Sequence, residues 1–135
     1  MQIAWGKEKK MEPIFAACDN AVFYLVSGDK EKALQCANGA FTLLDSSQSE
    51  GAGEKHLPEV KKDGSHVHVR VGSVLHPMSA EHSIEWIFLE TQKGGQFRRL
   101  NPDSEPTAEF IVSPDDEAVA AYAYCNLHGF WKTSI

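Results

Sequence analysis

Hydrophobic and polar residues alternate most regularly in the second half of the chain. HVHVRV, from His66 to Val71, places every second side chain on one apolar face, as a half-buried β-strand does. HSIEWIFLET continues the pattern from His82 to Thr91, and Gly94-Gly95 is typical of a hairpin turn before Gln96-Phe97. TAEFIVS and AVAAYAYC follow, and we predict the latter as a strand because its valine and tyrosines alternate with small residues. Short strands at this spacing predict an all-β fold, an immunoglobulin-like β-sandwich.

The first part of the chain has a different pattern. From Glu12 to about Leu44, the short apolar runs AVFYLV and GAFTLL are separated by the turn-like SGDKEK, which predicts a few short strands. The small, polar stretch SSQSEGAG, from Ser46 to Gly53, has the composition of a linker. We therefore expect an extension over residues 1–10, a small β domain over 11–48 and the sandwich over 49–135.

Composition and charge are those of a soluble, folded protein. The 135 residues are 42% hydrophobic and 24% charged, and the formal net charge of −6 disfavours general affinity for nucleic acid or an anionic membrane. No apolar stretch approaches the ~20 residues of a membrane span, and no run of signal-peptide length follows the N-terminal lysines. We expect a cytoplasmic protein. Its three cysteines do not form a typical disulfide framework, so at least one should be a free thiol or a metal ligand.

Candidate chemistry is concentrated in three short clusters that contain histidine or cysteine. They are Glu54-Lys55-His56, the loop from His76 to His82, and Cys125-Asn126-Leu127-His128. Turn-forming residues bound each cluster, and side chains on loops at strand ends can converge on one ion. A cysteine and a histidine three residues apart can bind the same metal from one turn, although this motif is weak on its own.

Three segments that contain these clusters resemble the superoxide reductase family, also called neelaredoxin or desulfoferrodoxin. EKHLP, HPMSAEHSIEWI and CNLHGFWK match the family's motifs in order, spacing and flanking residues across nearly all of residues 54–132. The resemblance implies one mononuclear non-haem iron per chain with an open sixth position opposite an axial thiolate. The implied ligands are four equatorial histidines and one axial cysteine: His56, His76, His82, His128 and Cys125.

The resemblance also implies an activity, the reduction of superoxide to hydrogen peroxide. Four neutral imidazoles and one thiolate leave a ferrous centre with a net charge of about +1, which attracts an anion. Lys55 would draw superoxide in and position a proton-donating water, and Glu54 would occupy the sixth position of ferric iron at rest. The family implies a small electron-donor protein such as rubredoxin, and we expect a homodimer.

The N-terminal segment departs from part of this family. Relatives with a desulforedoxin-like domain bind a second iron there through Cys-x-x-Cys and a pair of adjacent cysteines. The matching segments here, FAACDN and LQCANG, retain only Cys18 and Cys36. Two thiolates cannot supply a four-sulfur site, so we predict a vestigial desulforedoxin-like domain without metal.

Several of these residues also have a purely structural or non-catalytic interpretation. His66 and His68 share a strand face with Arg70, which favours a solvated face over metal ligation. Pro77 would rigidify its loop. The five ligand candidates could also form a non-catalytic zinc or iron module, or be incidental in a metal-free adaptor. Aromatic residues of the strands should line the core or the wall of the site: Trp86, Phe88, Tyr122, Tyr124 and Trp131.

Overall fold

The computed structural model describes residues 12–19, 21–46 and 56–135. The chain divides into two compact units, Met1–Leu44 and Asp45–Ile135. The division lies close to the predicted boundary, and the vestigial character of the first unit stays a prediction. The predicted extension and nearly all of the predicted linker lie outside the described residues. No helix in the described ranges has the length and apolar character that crossing a membrane requires.

The first unit contains one small antiparallel sheet. Strand β1 (Phe15–Cys18) lies between β2 (Ala21–Tyr24) and β3 (Thr42–Leu43), in the order β2-β1-β3. The short strands that the sequence predicts here are therefore present, although the second apolar run, GAFTLL, contributes only two strand residues.

A helix occupies part of the segment predicted as a turn. Helix α1 (Lys30–Gln35) begins after Asp29, whose side chain accepts a hydrogen bond from the backbone N–H of Lys32 at 2.8 Å. An aspartate at this position satisfies one of the N–H groups left open at a helix start. The prediction of a simple turn was wrong because a six-residue helix is too short to display an apolar period. A tight turn, Cys36–Gly39, follows, in which Ala37 and Asn38 have left-handed backbone angles.

The second unit is a sandwich of two antiparallel sheets, which confirms the predicted all-β fold. One sheet has the strand order β10-β9-β6-β7 and the other has the order β4-β5-β8, the four-plus-three arrangement of immunoglobulin-like domains. The strands are β4 (Pro58–Asp63), β5 (His66–Val71), β6 (Ile84–Thr91), β7 (Gly94–Arg99), β8 (Thr107–Ile111), β9 (Ala118–Cys125) and β10 (Gly129–Ser134).

Both sheets turn an apolar face towards the interior. On β5 the three valines are buried, while His66 is exposed and His68 and Arg70 are half-buried. Arg70 forms an ion pair with Glu59 of β4 at 2.8 Å, so the interpretation of this face as a surface is confirmed. The core consists of buried residues from both sheets: Val67, Val69, Val71, Ile84, Ile87, Leu89, Ala108, Phe110, Val112, Ala118, Ala121, Ala123 and Cys125.

The β6–β7 hairpin turns two residues earlier than the sequence suggests. Thr91 pairs with Gly94, so the turn residues are Gln92 and Lys93, and the two glycines begin β7. A Cβ atom at Gly95 would overlap the buried ring of Phe88. Gly95 is therefore required for close packing within the sheet rather than for the turn.

Two strands that border the ligand clusters have no clear alternating pattern. No strand is predicted for β4, whose PEVKKD contains a single branched apolar residue, or for β10, whose GFWKTS adjoins the last cluster. Thr133 of β10 donates its hydroxyl hydrogen to the Pro58 carbonyl of β4 at 2.6 Å, which joins the two sheets at this edge. His56 lies just before β4 and His128 directly precedes β10, so these two strands hold the backbone next to both histidines.

Candidate metal centre

The five predicted ligands meet at one end of the sandwich. His56 lies just before β4, His76 follows β5, and His82 lies just before β6. Antiparallel pairing brings the start of β6 beside the end of β9, where Ile84 faces Cys125, and His128 directly precedes β10. One potential ligand atom from each of the five residues lies within 4.8 Å of the others. The fold therefore brings together all five side chains of the predicted set.

The four imidazoles form a closed ring. Neighbouring ring centroids are 4.7 Å apart for His56 and His76, 4.6 Å for His76 and His82, 4.9 Å for His82 and His128, and 4.8 Å for His128 and His56. Neighbouring planes are inclined by 70° to 81°, so each ring presents its edge to the next. The Nε2 atom of His56 lies 3.0 Å from the Nδ1 atom of His128. This arrangement directs ring nitrogens towards one common point.

His76 shows which of its nitrogens faces that point. Its Nδ1 lies 2.7 Å from the carbonyl oxygen of Pro77, so the Nδ1–H group donates there and Nε2 keeps its lone pair. Nε2 is buried without a hydrogen-bond partner among the described residues. Burial, together with the neighbouring histidines, lowers the pKa of His76 from 6.5 to about 4. A buried, neutral imidazole with an unused lone pair is the state that a metal ion requires.

Cys125 lies beside the imidazole ring and is fully buried. Its Sγ is 3.9 Å from Nδ1 of His128. Burial raises the pKa of this thiol, while the backbone N–H groups of Leu127 and His128 oppose that effect by donating to the sulfur. Without a metal the Cys125 thiol keeps its proton, and a bound cation would displace that proton.

Trp131 forms one wall of the centre. Its ring stacks on His56 with centroids 4.8 Å apart and planes inclined by 17°, and its Nε1–H donates to the His128 carbonyl at 3.2 Å. The prediction of a core or wall aromatic is therefore confirmed for this residue, which contacts two ligands at once. Pro77 also contributes, but through its carbonyl oxygen on His76.

The structure does not test every predicted residue of the site. Glu54 and Lys55 lie outside the described residues, so their roles stay predictions. Sequence reasoning also gave no role to Asn126, Ser79 or Met78, which hydrogen-bond within the ligand loops. Asn126 could not be found from spacing because its partners lie in another loop, whereas Ser79 and Met78 accept hydrogen bonds from backbone N–H groups of their own segment.

The donor set fits iron. Four imidazole nitrogens and one sulfur exceed the four ligands of a closed structural zinc site, and the mixture of imidazole and thiolate donors is one that iron accepts. The Nε2 atom of His76 supports a bound metal ion, since a buried polar atom without a hydrogen-bond partner is costly unless an ion binds it.

The family model described as Desulfoferrodoxin matches residues 48–134. The chain is similar to a desulfoferrodoxin from Nitratidesulfovibrio vulgaris, 41% identical over 115 residues that cover 85% of this chain and 88% of the relative. A desulfoferrodoxin homolog from Archaeoglobus fulgidus is 38% identical over 116 residues, which cover 86% and 90% of the two chains.

Solved structures give a consistent result. The superoxide reductase from Treponema pallidum is 35% identical, with a TM-score of 0.80, and the match covers 92% of this chain and all of that one. A superoxide reductase from Giardia intestinalis is also 35% identical, with a TM-score of 0.53, and the match covers 61% of this chain and 97% of that one. The first of these matches extends over nearly the whole chain, and the second over a smaller part.

Proposed function

The chain belongs to the desulfoferrodoxin family, and from that membership we propose that it reduces superoxide to hydrogen peroxide at a single iron ion. The observation that supports this most is the convergence of His56, His76, His82, His128 and Cys125 within 4.8 Å. These five residues would hold the ion, which when bound would supply one electron to superoxide, and two protons would complete hydrogen peroxide. An external donor then returns the electron.

The protein's own groups prepare the centre for an anion. An imidazole binds a metal ion in its neutral form, so the four histidines would leave the positive charge of the ion uncompensated except by the Cys125 thiolate. The N–H groups of Leu127 and His128 that donate to the sulfur reduce its negative charge. We propose that Lys55 attracts superoxide and positions the proton-donating water, and that Glu54 would be a further ligand of the ion in its oxidised resting state.

The electron donor is proposed to dock at the same end of the sandwich. Leu57, Leu75 and Leu127 each adjoin a ligand in sequence, and their side chains are 44%, 51% and 61% exposed. Exposed apolar side chains beside a redox centre suit the small, transient interface of a rubredoxin-like protein. Replacing Leu127 with lysine should slow reduction by such a donor while the metal content stays unchanged.

We also retain a homodimer and a cytoplasmic location as proposals. Phe23 in the edge strand β2 and Val26 are 48% and 84% exposed, which supports burial against a second copy. The three cysteines are free thiols, as expected in a reducing compartment. Light scattering of the purified protein tests the dimer.

A non-catalytic metal-binding module is the alternative function, and metal analysis combined with visible absorption separates the two. The proposal predicts one iron per chain and a thiolate-to-iron charge-transfer band in the oxidised protein. Superoxide should restore this band when it is added to the reduced, colourless form. Zinc in place of iron, with no visible band, would support the module instead. Iron that superoxide leaves reduced would contradict the proposed activity directly.

A further inference from the structure

One side chain joins two of the ligand loops. The Oδ1 atom of Asn126 accepts a hydrogen bond from the backbone N–H of Ser83 at 3.0 Å, and its Nδ2 donates to the Glu81 carbonyl at 2.8 Å. The backbone N–H of Asn126 donates to the Ser83 carbonyl at 3.2 Å. Asn126 follows Cys125 in the chain, and its two partners flank His82. Three hydrogen bonds therefore connect the Cys125–His128 turn to the residues on both sides of a third ligand.

An amide suits this position because the two partners differ in kind. A backbone N–H needs an acceptor and a carbonyl needs a donor, which also fixes the orientation of the Asn126 amide. The pairing of β6 and β9 has a register shift between Ile84 and Trp86 and ends where Ile84 faces Cys125. The side chain of Asn126 extends that pairing beyond the strand ends, into the loop that contains His82.

Other hydrogen bonds lie within the His82 loop. Ser79 donates its backbone N–H to the His82 carbonyl at 2.9 Å, and its Oγ accepts from the His82 N–H at 3.1 Å. The backbone N–H of Ile84 donates to the Met78 sulfur at 3.3 Å. These bonds shape the loop, but they do not fix its distance from Cys125. Asn126 supplies that restraint through the Glu81 carbonyl and the Ser83 N–H.

We propose that Asn126 is a positioning residue that holds the His82 imidazole at the distance from Cys125 and His128 that one ion requires. This inference rests on the proposed metal centre. Asn126 is exposed, and its amide bonds to backbone groups, so it acts through His82 rather than as a ligand. An exposed clamp of this kind contributes little to overall stability, yet it sets the geometry of the ligand set.

The test is a titration of the full-length metal-free protein with Co²⁺, followed through the thiolate-to-cobalt absorption. Asn126→Ala should weaken Co²⁺ binding by about 10- to 100-fold, the usual effect of losing a group that orients a ligand. Its metal-free melting temperature should fall by less than about 5 °C. Asn126→Leu preserves the size but loses both side-chain bonds, and it should give the same loss if the alanine variant folds poorly. Asn101→Ala, on an exposed loop, is the matched control and should bind as the parent does.

A second pair of variants asks whether Asn126 acts through His82. In a His82→Ala background, adding Asn126→Ala should change Co²⁺ affinity by less than about 3-fold, because the imidazole that it positions is already gone. In a His76→Ala background the full loss should persist. Equal losses in both backgrounds would overturn the proposal, as would parent-like affinity in Asn126→Ala. A parent protein that binds no Co²⁺ would overturn the metal centre as well, whereas absent superoxide reduction alone would leave this result intact.

Discussion

The two units of the chain differ in how much of their apolar surface they bury. In the sandwich, residues from both sheets form one continuous core, with Val69, Val71 and Ile87 fully buried. Among the described residues of the first unit, only Phe15 and Ala16 are buried hydrophobics. A packed core restrains the strand ends, and restrained strand ends can hold side chains on loops at fixed distances. The sandwich therefore provides the rigidity that a metal centre needs.

Both units contain cysteine, but only one places it among other ligands. Cys125 is fully buried beside His128, whereas Cys36 is exposed and Cys18 is half-buried. Among the described residues, three or more potential metal ligands converge at one place only, the cluster of four histidines and Cys125 in the sandwich. Convergence of several ligands, rather than the presence of thiols, therefore determines where a metal can bind.

The largest expected difference between the two units appears when their cysteines are replaced. Cys125→Ser should reduce iron binding or superoxide reduction by more than about 100-fold, because it removes a ligand rather than a group that orients one. The double variant Cys18→Ser/Cys36→Ser should keep its full iron content and its activity within about 2-fold. Elemental analysis and superoxide kinetics on the two proteins provide the measurement. Extra iron in the parent that disappears in the double variant would show that the first unit binds metal.

The next prediction concerns the core. Ile87→Ala should lower the free energy of unfolding by about 3 kcal/mol, because it leaves a cavity at a fully buried position. Ile111→Ala makes the same chemical change where the side chain is 64% exposed, and it should cost less than about 1 kcal/mol. Urea denaturation of both variants measures the difference. Similar losses would mean that the sandwich does not depend on its core as described.

A loss of stability at acidic pH that depends on histidine should also arise in the sandwich, because no histidine precedes His56. In the folded metal-free protein the pKa of His76 is lowered to about 4, so below pH 6.5 the unfolded chain binds a proton that the folded state does not. Stability should therefore fall by about 3 kcal/mol as the pH drops from 6.5 to 4. Urea titrations across this range test the slope. His76→Gln should flatten it, and the exposed His66→Gln should leave it unchanged.

The smallest effect is expected in the first unit. Asp29→Ala removes the side chain that accepts from the Lys32 N–H, which should destabilise helix α1 by about 1 kcal/mol. Hydrogen exchange at the Lys32 and Ala33 amides should accelerate, while the amides of β5 and β6 should exchange as in the parent. Faster exchange in those strands would indicate that the two units unfold together.

The sequence predicts the sandwich well where alternation is strict. HVHVRV has one apolar face, and that face is buried in β5 as expected. Strands β4 and β10 escape prediction because their stability comes from cross-strand partners, such as the bond from Thr133 to Pro58, rather than from their own pattern. The prediction of a hairpin turn at Gly94-Gly95 was wrong because Gly95 is needed within the strand, where a Cβ atom would overlap the ring of Phe88.

The five side chains that converge at the end of the sandwich come from the three family motifs, but the groups that support them could not be predicted. The contact between Trp131 and His56 and the clamp formed by Asn126 depend on residues far apart in the chain. Helix α1 was missed for a different reason, since its capping aspartate lies in a segment that is equally typical of a turn.

The measurement that tests the central claim most directly is the yield of products when superoxide meets the reduced, iron-loaded protein. Reduction consumes one superoxide, one electron and two protons for each hydrogen peroxide, and it releases no oxygen. Dismutation converts half of the superoxide to oxygen. With an oxygen electrode and a peroxide assay in the same vessel, the account predicts one peroxide per superoxide and no oxygen above the uncatalysed background. Oxygen released in an amount equal to the peroxide, or superoxide that persists as it does without the protein, would contradict it.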